Sequence, residues 1–143
     1  MFSQPVRSLL ERRKLLTAAP RTTVSRAAKT MATKQVGAVL IVKDERLVGI
    51  FTERDALCRV LARGLEAGEV HLADVMTPDP KTIGPEKSFG HALLLMWENG
   101  FRHLPVVEHG KLLGIVCARD ALDPDMEDFV SEERRRKYFV ETR

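Results

Sequence analysis

The chain has 143 residues, of which 44% are hydrophobic and 30% charged, and this balance is typical of one globular unit and excludes long disordered stretches. No uncharged apolar run approaches the roughly 20 residues that a membrane-spanning helix needs, so no membrane is expected as a partner. Two cysteines cannot build a disulfide scaffold, so we expect a reducing compartment, the cytoplasm.

The N-terminal part is the most basic stretch of a chain whose net charge is +3. Residues 1–34 carry eight Lys and Arg residues against the single acid Glu11. Such a stretch is compatible with a mitochondrial transit peptide or with a nucleic-acid-binding arm. We favour a solvated basic face, because most of the segment belongs to a repeated unit. The apolar region of a secretory signal is not visible in residues 1–16.

An internal repeat relates the two halves of the chain. At an offset of 65 residues, Gly49-Ile50 aligns with Gly114-Ile115, and residues 54–57 (Arg-Asp-Ala-Leu) recur unchanged at 119–122. Residues 36–57 share eight identities with residues 101–122, whereas about one is expected by chance. The chain is therefore two copies of one unit, joined near residues 64–72.

Each copy predicts a short extended segment, a helix, a hairpin and a second helix in that order. Apolar residues at i, i+3, i+4 and i+7 from Val24 predict the first helix, with Thr23 as its N-cap, and Ser88 holds the matching place in the second copy. Residues 36–42 and 46–51 predict a hairpin, as do residues 102–107 and 111–116. Pro105 has no N–H to donate, so we expect its strand position at an edge or a gap.

The second helix of the first copy is predicted over residues 52–63, with Gly64 as its stop. Four apolar residues share one of its faces: Ala56, Leu57, Val60 and Leu61. Cys58 is expected to be a small buried hydrophobic residue within this helix.

The second copy's last helix is interrupted at Pro124, which suits the first turn of a new helix. That terminal helix is predicted to direct three residues inward: Met126, Phe129 and Val130. Earlier in the same copy, Met96 and Trp97 follow a helical apolar face, so both are expected in the core or at a dimer interface.

The repeated pattern Gly-Ile-x-x-x-Arg-Asp falls where a strand passes into a helix. In the first copy, Thr52 and Asp55 form Thr-x-x-Asp, a capping box that stabilises a helix by on the order of 1 kcal/mol and needs no ligand. A helix start also offers free N–H groups to a phosphate, Arg54 adds a guanidinium, and a carboxylate can accept ribose hydroxyls. The pattern by itself allows a structural cap or a nucleotide site.

The second copy favours the nucleotide site. Cys117 replaces the capping threonine, and cysteine is a poor cap, yet Arg119 and Asp120 recur. If capping were the only demand, the recurrence of Arg-Asp would have little reason, and an exposed ion pair between the two contributes little.

The chain resembles a tandem of cystathionine β-synthase (CBS) domains, known as a Bateman module, of the stand-alone bacterial signalling type. The resemblance rests on the two Gly-Ile-x-x-x-Arg-Asp motifs, on Val75-Met76-Thr77, and on the Arg-His-Leu-Pro-Val-Val stretch at 102–107, and it covers about residues 9–122. It implies an α/β (α+β) fold of two β-α-β-β-α repeats about a pseudo-two-fold axis. The implied domains are residues 9–68 and 69–124, followed by a helical extension over 125–143.

The resemblance also implies a regulatory protein and not an enzyme. Two clefts between the copies would bind an adenosine-containing ligand, namely AMP, ADP, ATP, NAD(H) or S-adenosylmethionine, and report it by a change of conformation or association. The nucleotide would be a regulatory ligand and not a catalytic cofactor. The implied partners are a second copy of the chain, giving a homodimer, and a separate effector protein.

The family's nucleotide contacts map onto both copies of this sequence. In the first copy, Thr52 and Asp55 match the hydroxyl and the ribose-binding carboxylate, and Arg54 matches a phosphate contact. In the second copy, Asp120 matches the ribose-binding carboxylate and Arg119 the phosphate contact, whereas Cys117 departs from the usual Thr or Ser. The other implied contacts are Thr17, Ala18, Gly37, Ala38, Thr77, Thr82, Ile83, Arg102, His103, Leu104 and Pro105.

Other functions find less support in the residues. The sequence has no P-loop, Gly-x-Ser-x-Gly or Gly-x-Gly-x-x-Gly motif that would indicate an enzyme. Its four histidines form no i, i+4 pair and its two cysteines no Cys-x-x-Cys pair, so no metal site is predicted. The basic N-terminus lacks interleaved aromatic residues, so nucleic acid is not favoured as a partner. The alternatives are an S-adenosylmethionine sensor and a nucleic-acid- or metal-binding regulator of the same fold.

Overall fold

The computed structural model describes residues 2–12, 15–121, 132–133 and 135–136. An N-terminal 3-10 helix (Val6–Arg12) precedes the first copy. The first copy comprises β1 (Thr17–Ala18), α1 (Val24–Lys34), β2 (Ala38–Lys43), β3 (Arg46–Thr52) and α2 (Glu53–Asp55), which a π-helical segment (Ala56–Leu61) continues. The second comprises α3 (Leu72–Val75), β4 (Thr77–Pro78), α4 (Phe89–Asn99), β5 (His103–Glu108), β6 (Lys111–Cys117) and a 3-10 helix (Ala118–Ala121).

This order confirms the α/β fold class and the repeated unit predicted from the sequence. The terminal helix predicted to bury Met126, Phe129 and Val130 lies outside the described residues. None of the helices in the described part of the chain combines the length and the apolar character needed to cross a bilayer.

The first helix of each copy begins at the predicted cap. Thr23 Oγ1 accepts a hydrogen bond from Arg26 N (3.2 Å), and Ser88 Oγ accepts one from His91 N (3.1 Å). Each hydroxyl thereby satisfies an N–H that has no partner within its helix. The two helices therefore begin with equivalent caps.

The two copies differ in how their extended segment joins the sheet, and Pro105 explains the difference. Strands β1–β4 form one sheet in that order, and β5 and β6 form another. Leu40 N donates to Leu16 O (2.9 Å), which seats β1 parallel to β2. Pro105 is the residue 65 positions after Leu40 and has no N–H, so its copy keeps only an isolated bridge between Ile83 and Val106. Pro105 lies at the edge of its sheet, as predicted.

Each copy is completed by a segment that precedes the other copy in the sequence. We call residues 2–12, which precede the first copy, and residues 67–76, which precede the second, the lead-in segments. Residues of the first lead-in bond to the second copy, with Val6 N to Lys87 O (2.9 Å) and Phe89 N to Gln4 O (2.7 Å). Residues of the second bond to the first copy, with Leu72 N to Thr22 O (2.8 Å) and Val24 N to Val70 O (2.9 Å). The two sets of bonds correspond, so the repeat extends to the lead-in segments.

The side chains of the lead-in segments enter the core of the copy that they complete. Val6 and Leu9 are buried with Phe89 and Leu104 in the second copy's core. Leu72 and Val75 are buried in the first copy's core, with residues that include Val24, Ile41 and Phe51. Leu9, which the sequence places at the start of the first copy, therefore stabilises the second.

The two hairpins meet through a small apolar contact of their own. It buries Ala38, Leu40, Ile50 and Ile115, with Leu47 and Leu112 packed at its margin. Ile50 and Ile115 are 65 residues apart, as are Leu47 and Leu112, so like residues from the two copies meet about the pseudo-two-fold axis.

Burial predictions for the second helix of the first copy are wrong in part. Val60 is buried, but Cys58, Leu57 and Leu61 are exposed. The π-helical segment, in which Ala62 N donates to Leu57 O (2.9 Å), changes the angle between successive side chains. An apolar face deduced at 3.6 residues per turn therefore does not hold there.

On α4, Met96 is buried as predicted, whereas Trp97 is 86% exposed. The core placement of Trp97 is therefore wrong, because its position on the helix turns the indole away from the hairpin. Its placement at a dimer interface stays a prediction.

Candidate functional site

A cavity of about 800 Å³ opens between the two copies. Three pairs of its lining residues are 65 positions apart, namely Gly37 with Arg102, Glu53 with Ala118 and Ala56 with Ala121. The cavity therefore lies across the pseudo-two-fold axis. It extends to one side only, where α1 provides a wall of Ala28, Met31 and Ala32. The lining is completed by Gln35, Val36, His103, Cys117 and Arg119.

The strand-to-helix junctions on either side of the axis have the same backbone connection. Glu53 N donates to Gly37 O (3.0 Å), and Ala118 N donates to Arg102 O (2.9 Å). Each bond joins the start of one helix to the residue before the first hairpin strand of the same copy. The two junctions thus present Gly37 and Glu53 from the first copy, and Arg102 and Arg119 from the second, to one shared cavity.

Asp55 forms the capping box that its sequence predicts. Its Oδ2 accepts from Thr52 N (2.9 Å) and from Thr52 Oγ1 (3.2 Å), and its own N–H donates to Thr52 Oγ1 (3.3 Å). Arg59 Nε lies 3.6 Å from Asp55 Oδ1, and Arg59 Nη1 donates to Val75 O (3.2 Å) and Met76 O (3.0 Å). Asp55 is therefore a structural residue in this arrangement.

Asp120 makes the corresponding bond in the second copy. Its Oδ2 accepts from Cys117 N at 2.9 Å, although Cys117 has no hydroxyl to complete a box. The recurrence of the aspartate therefore has a capping reason in both copies. The lack of a hydroxyl at Cys117 therefore does not by itself favour a ligand over a cap, because Asp120 accepts from the backbone N–H of residue 117.

The structure brings five of the predicted site residues to the cavity: Gly37, Arg102, His103, Cys117 and Arg119. Ala38 joins Gly37, His103 and Cys117 at a narrow recess of about 20 Å³. Of these five residues, Gly37 belongs to the first copy and the other four to the second.

The other predicted site residues lie elsewhere. Thr17 and Thr82 line a separate open groove of about 1260 Å³ beside the hairpin turns. Ile83, Leu104 and Pro105 are buried, Ala18 packs against the first copy's core, and Thr77 pairs with Ile50. Thr52, Arg54, Asp55 and Asp120 are not among the residues that line the cavity. Their roles as ligand contacts stay predictions.

Sequence reasoning did not identify Glu53 or the α1 wall. A Cβ built on Gly37 would lie 3.2 Å from Glu53 Oε1 and 3.3 Å from His103 Nε2, so these two polar side chains converge over Gly37. A residue that follows a helix cap carries no signal of its own for such a role. The small residues Ala28 and Ala32, one turn apart on α1, are a signal that was available for the wall.

A metal site finds no support in the part of the chain that the structure describes. Within that part, no group of three or more His, Cys, Asp and Glu side chains could hold a metal ion. The polar side-chain groups that line this cavity are guanidinium, carboxylate, carboxamide, imidazole and thiol.

Comparison with known proteins identifies both halves of the chain. The sequence model of the CBS domain matches residues 6–62 and 72–126. The chain is 35% identical over 130 residues to an uncharacterized protein of Methanopyrus kandleri, covering 87% of this chain and 66% of that protein. It is also 35% identical over 129 residues to the meiotically up-regulated gene 70 protein of Schizosaccharomyces pombe, covering 82% of this chain and 18% of that protein. The chain thus spans from about a fifth to about two thirds of these relatives.

Solved structures share the fold. A putative signal-transduction protein with CBS domains from Burkholderia ambifaria superposes with a TM-score of 0.72 at 33% identity, over 76% of this chain and 79% of that one. A CBS domain protein from Pyrobaculum aerophilum, complexed with AMP, gives 0.77 at 22% identity over 90% and 98%. A CBS domain pair in complex with 5′-methylthioadenosine and S-adenosyl-L-methionine gives 0.73 at 24% identity over 82% and 92%.

Two CBS domains match most of the chain, and the structure shows two copies of one unit that share a cleft. The chain therefore belongs to the CBS-domain family, as a tandem pair that forms one Bateman module.

Proposed function

We propose that the chain is a regulatory module that binds an adenine nucleotide in the cleft between its two CBS domains. The observation that carries this proposal is the cavity itself, whose volume of about 800 Å³ is suited to a ligand of nucleotide size. Arg102 and Arg119 both line it, and within the described residues neither guanidinium is paired with a carboxylate. Guanidinium groups are strong partners for phosphate oxygens.

The apolar part of the cavity supports the adenosine end of such a ligand. Ala28, Ala32 and Gly37 are small, and they leave space beside the flexible side chain of Met31. The flat adenine base of a nucleotide would fit an apolar space of this kind, whereas the phosphate of the nucleotide would bind the arginines. The AMP complex of the related CBS domain protein supports this choice of ligand.

S-adenosylmethionine is the second candidate, and Glu53 is the observation that favours it. Its carboxylate lines the same cavity and would attract the sulfonium and ammonium groups of that ligand. The complex of another CBS domain pair with S-adenosyl-L-methionine supports keeping it in the test.

Binding is tested with a panel of AMP, ADP, ATP, NAD, NADH and S-adenosylmethionine, by thermal shift and calorimetry. A ligand present at 100 times its Kd adds about 2.7 kcal/mol to the free energy of unfolding. We expect an adenine nucleotide to stabilise the protein in this way, and we expect Arg119→Ala to raise the Kd for that nucleotide at least tenfold. Arg63→Ala removes an exposed arginine outside the cavity and serves as the control. If no compound on the panel binds, the proposal is wrong.

We further propose that the bound ligand shifts the population between arrangements of the two domains. The homodimer would transmit this change to a separate effector protein. A second copy of the chain is the proposed cover for Leu94 and Trp97, which are exposed on α4. The role is regulatory and not catalytic, so a bound nucleotide is expected to be recovered unchanged. No disulfide joins Cys58 to Cys117, which is consistent with a reducing compartment such as the cytoplasm.

A further inference from the structure

We propose that Glu53 makes the cleft select ligands by the number of their phosphates, favouring a nucleoside monophosphate over the corresponding triphosphate. This inference rests on the proposed function, since it concerns the same cavity. It starts from the uneven distribution of charge around the pseudo-two-fold axis. The lining cations Arg102 and Arg119 both come from the second copy, whereas the lining carboxylate, Glu53, comes from the first.

Glu53 lines the cavity near the pseudo-two-fold axis. It is one of the lining residues with a partner 65 positions away that also lines the cavity, and such pairs surround the axis where the two copies meet. That partner is Ala118, so the equivalent position has no charge, and the cation among these pairs is Arg102, the partner of Gly37. A ligand whose first phosphate occupies Arg102 and Arg119 would find no further arginine or lysine among the described lining residues, so the charge of additional phosphates would meet Glu53 uncompensated.

The exposed Glu53 carboxylate lies where it can act on a ligand. Its Oε1 lies 3.2 Å from the position of a Cβ at Gly37, and His103 Nε2 lies 3.3 Å from that same position. Gly37 therefore provides the room in which the carboxylate rests. No ion pair joins Glu53 to a cation within the described residues, so its negative charge is not neutralised by the protein there.

The physical consequence is a graded repulsion. AMP has one phosphate to place, and the two arginines can neutralise it. ATP brings two further phosphates, which carry more negative charge towards an unneutralised carboxylate in a partly enclosed site. Like charges a few ångströms apart in such a site repel by an amount that corresponds to on the order of a tenfold change in Kd.

The test is the ratio of the Kd for ATP to the Kd for AMP, measured by calorimetry on the full chain. In Glu53→Gln we expect this ratio to fall about tenfold, mostly through tighter ATP binding. Glu53→Ala, which introduces the residue found at the partner position 118, should give a similar fall. Glu69→Gln removes the same charge from an exposed site outside the cavity and should leave the ratio unchanged. Circular dichroism checks that each variant is folded.

The outcomes separate this inference from the proposed function. If AMP binds to the wild type but the ratio is unchanged in both Glu53 variants, or changes equally in Glu69→Gln, the selectivity inference is wrong and the nucleotide site stands. If neither the wild type nor any variant binds AMP or ATP, the proposed function fails and the inference fails with it.

Discussion

Met76 packs directly over Gly49, so that a Cβ built on Gly49 would lie only 2.9 Å from Met76 Cγ. The same relationship joins Leu10 to Gly114, where the Cβ would lie 3.0 Å from Leu10 Cδ2. The repeated glycine of the Gly-Ile-x-x-x-Arg-Asp motif therefore has a packing reason. In each copy it leaves the space that a residue of the lead-in segment fills.

Gly49→Ala is expected to destabilise the protein by about 1–3 kcal/mol, because a methyl group there overlaps Met76. The measurement is the free energy of unfolding in urea. Gly68→Ala is the matched control, since nothing lies within 4 Å of a Cβ at that position. Adding Met76→Ala to Gly49→Ala should recover part of the loss, and a fully additive double variant would contradict the contact.

Leu9→Ala is expected to cost about 2–5 kcal/mol, because Leu9 is buried in the core of the second copy. Hydrogen exchange should then show that β5 and β6 lose protection before β2 and β3. Leu61→Ala removes the same side chain from a site that is 72% exposed and should change stability by no more than about 0.5 kcal/mol. Earlier loss of protection in β2 and β3 would refute the placement of Leu9.

Asp120→Ala is expected to lower stability by about 1 kcal/mol, because the Cys117 N–H loses its carboxylate partner. Asp120→Asn keeps an oxygen that can accept this bond and should retain most of the stability. The pair separates capping from ligand recognition. Urea titration gives the first quantity and AMP calorimetry the second, and weaker AMP binding by Asp120→Asn at full stability would show that the carboxylate also binds ligand.

Trp97 is the single tryptophan of the chain and is 86% exposed, so its fluorescence reports the proposed dimer directly. We expect its emission to shift to shorter wavelength as protein concentration rises, because a second copy covers the indole. Leu94→Ser should move that transition to higher concentration, as checked by analytical ultracentrifugation. An emission maximum that does not change while the protein dimerises would place the interface elsewhere.

Local chemistry made much of this fold predictable from the sequence. The caps at Thr23 and Ser88 and the box between Thr52 and Asp55 form as predicted, because each depends on residues three positions apart. The hairpins follow from runs of apolar residues with polar turns between them. The repeat at an offset of 65 residues then predicts the same elements in the second copy.

What the sequence did not reveal depends on contacts between distant residues. The lead-in segments match at an offset of 66 for Val6 and Leu72, so they do not align at the offset of 65 that relates the motifs. The exposure of Cys58 depends on a π-helical segment that no side-chain pattern announces. Glu53 lines the cavity beside Gly37 and His103, which come from other parts of the chain, so no local sequence pattern marks it.

The exchanged lead-in segments have a consequence for any attempt to divide the protein. A cut at the junction, between residues 65 and 66, would leave each half holding the piece that the other half requires. Neither half would be a self-sufficient folding unit, but the two together would hold every strand and helix of the intact chain. Mixing the separately expressed halves should therefore reconstitute the protein, in the manner of complementing fragments.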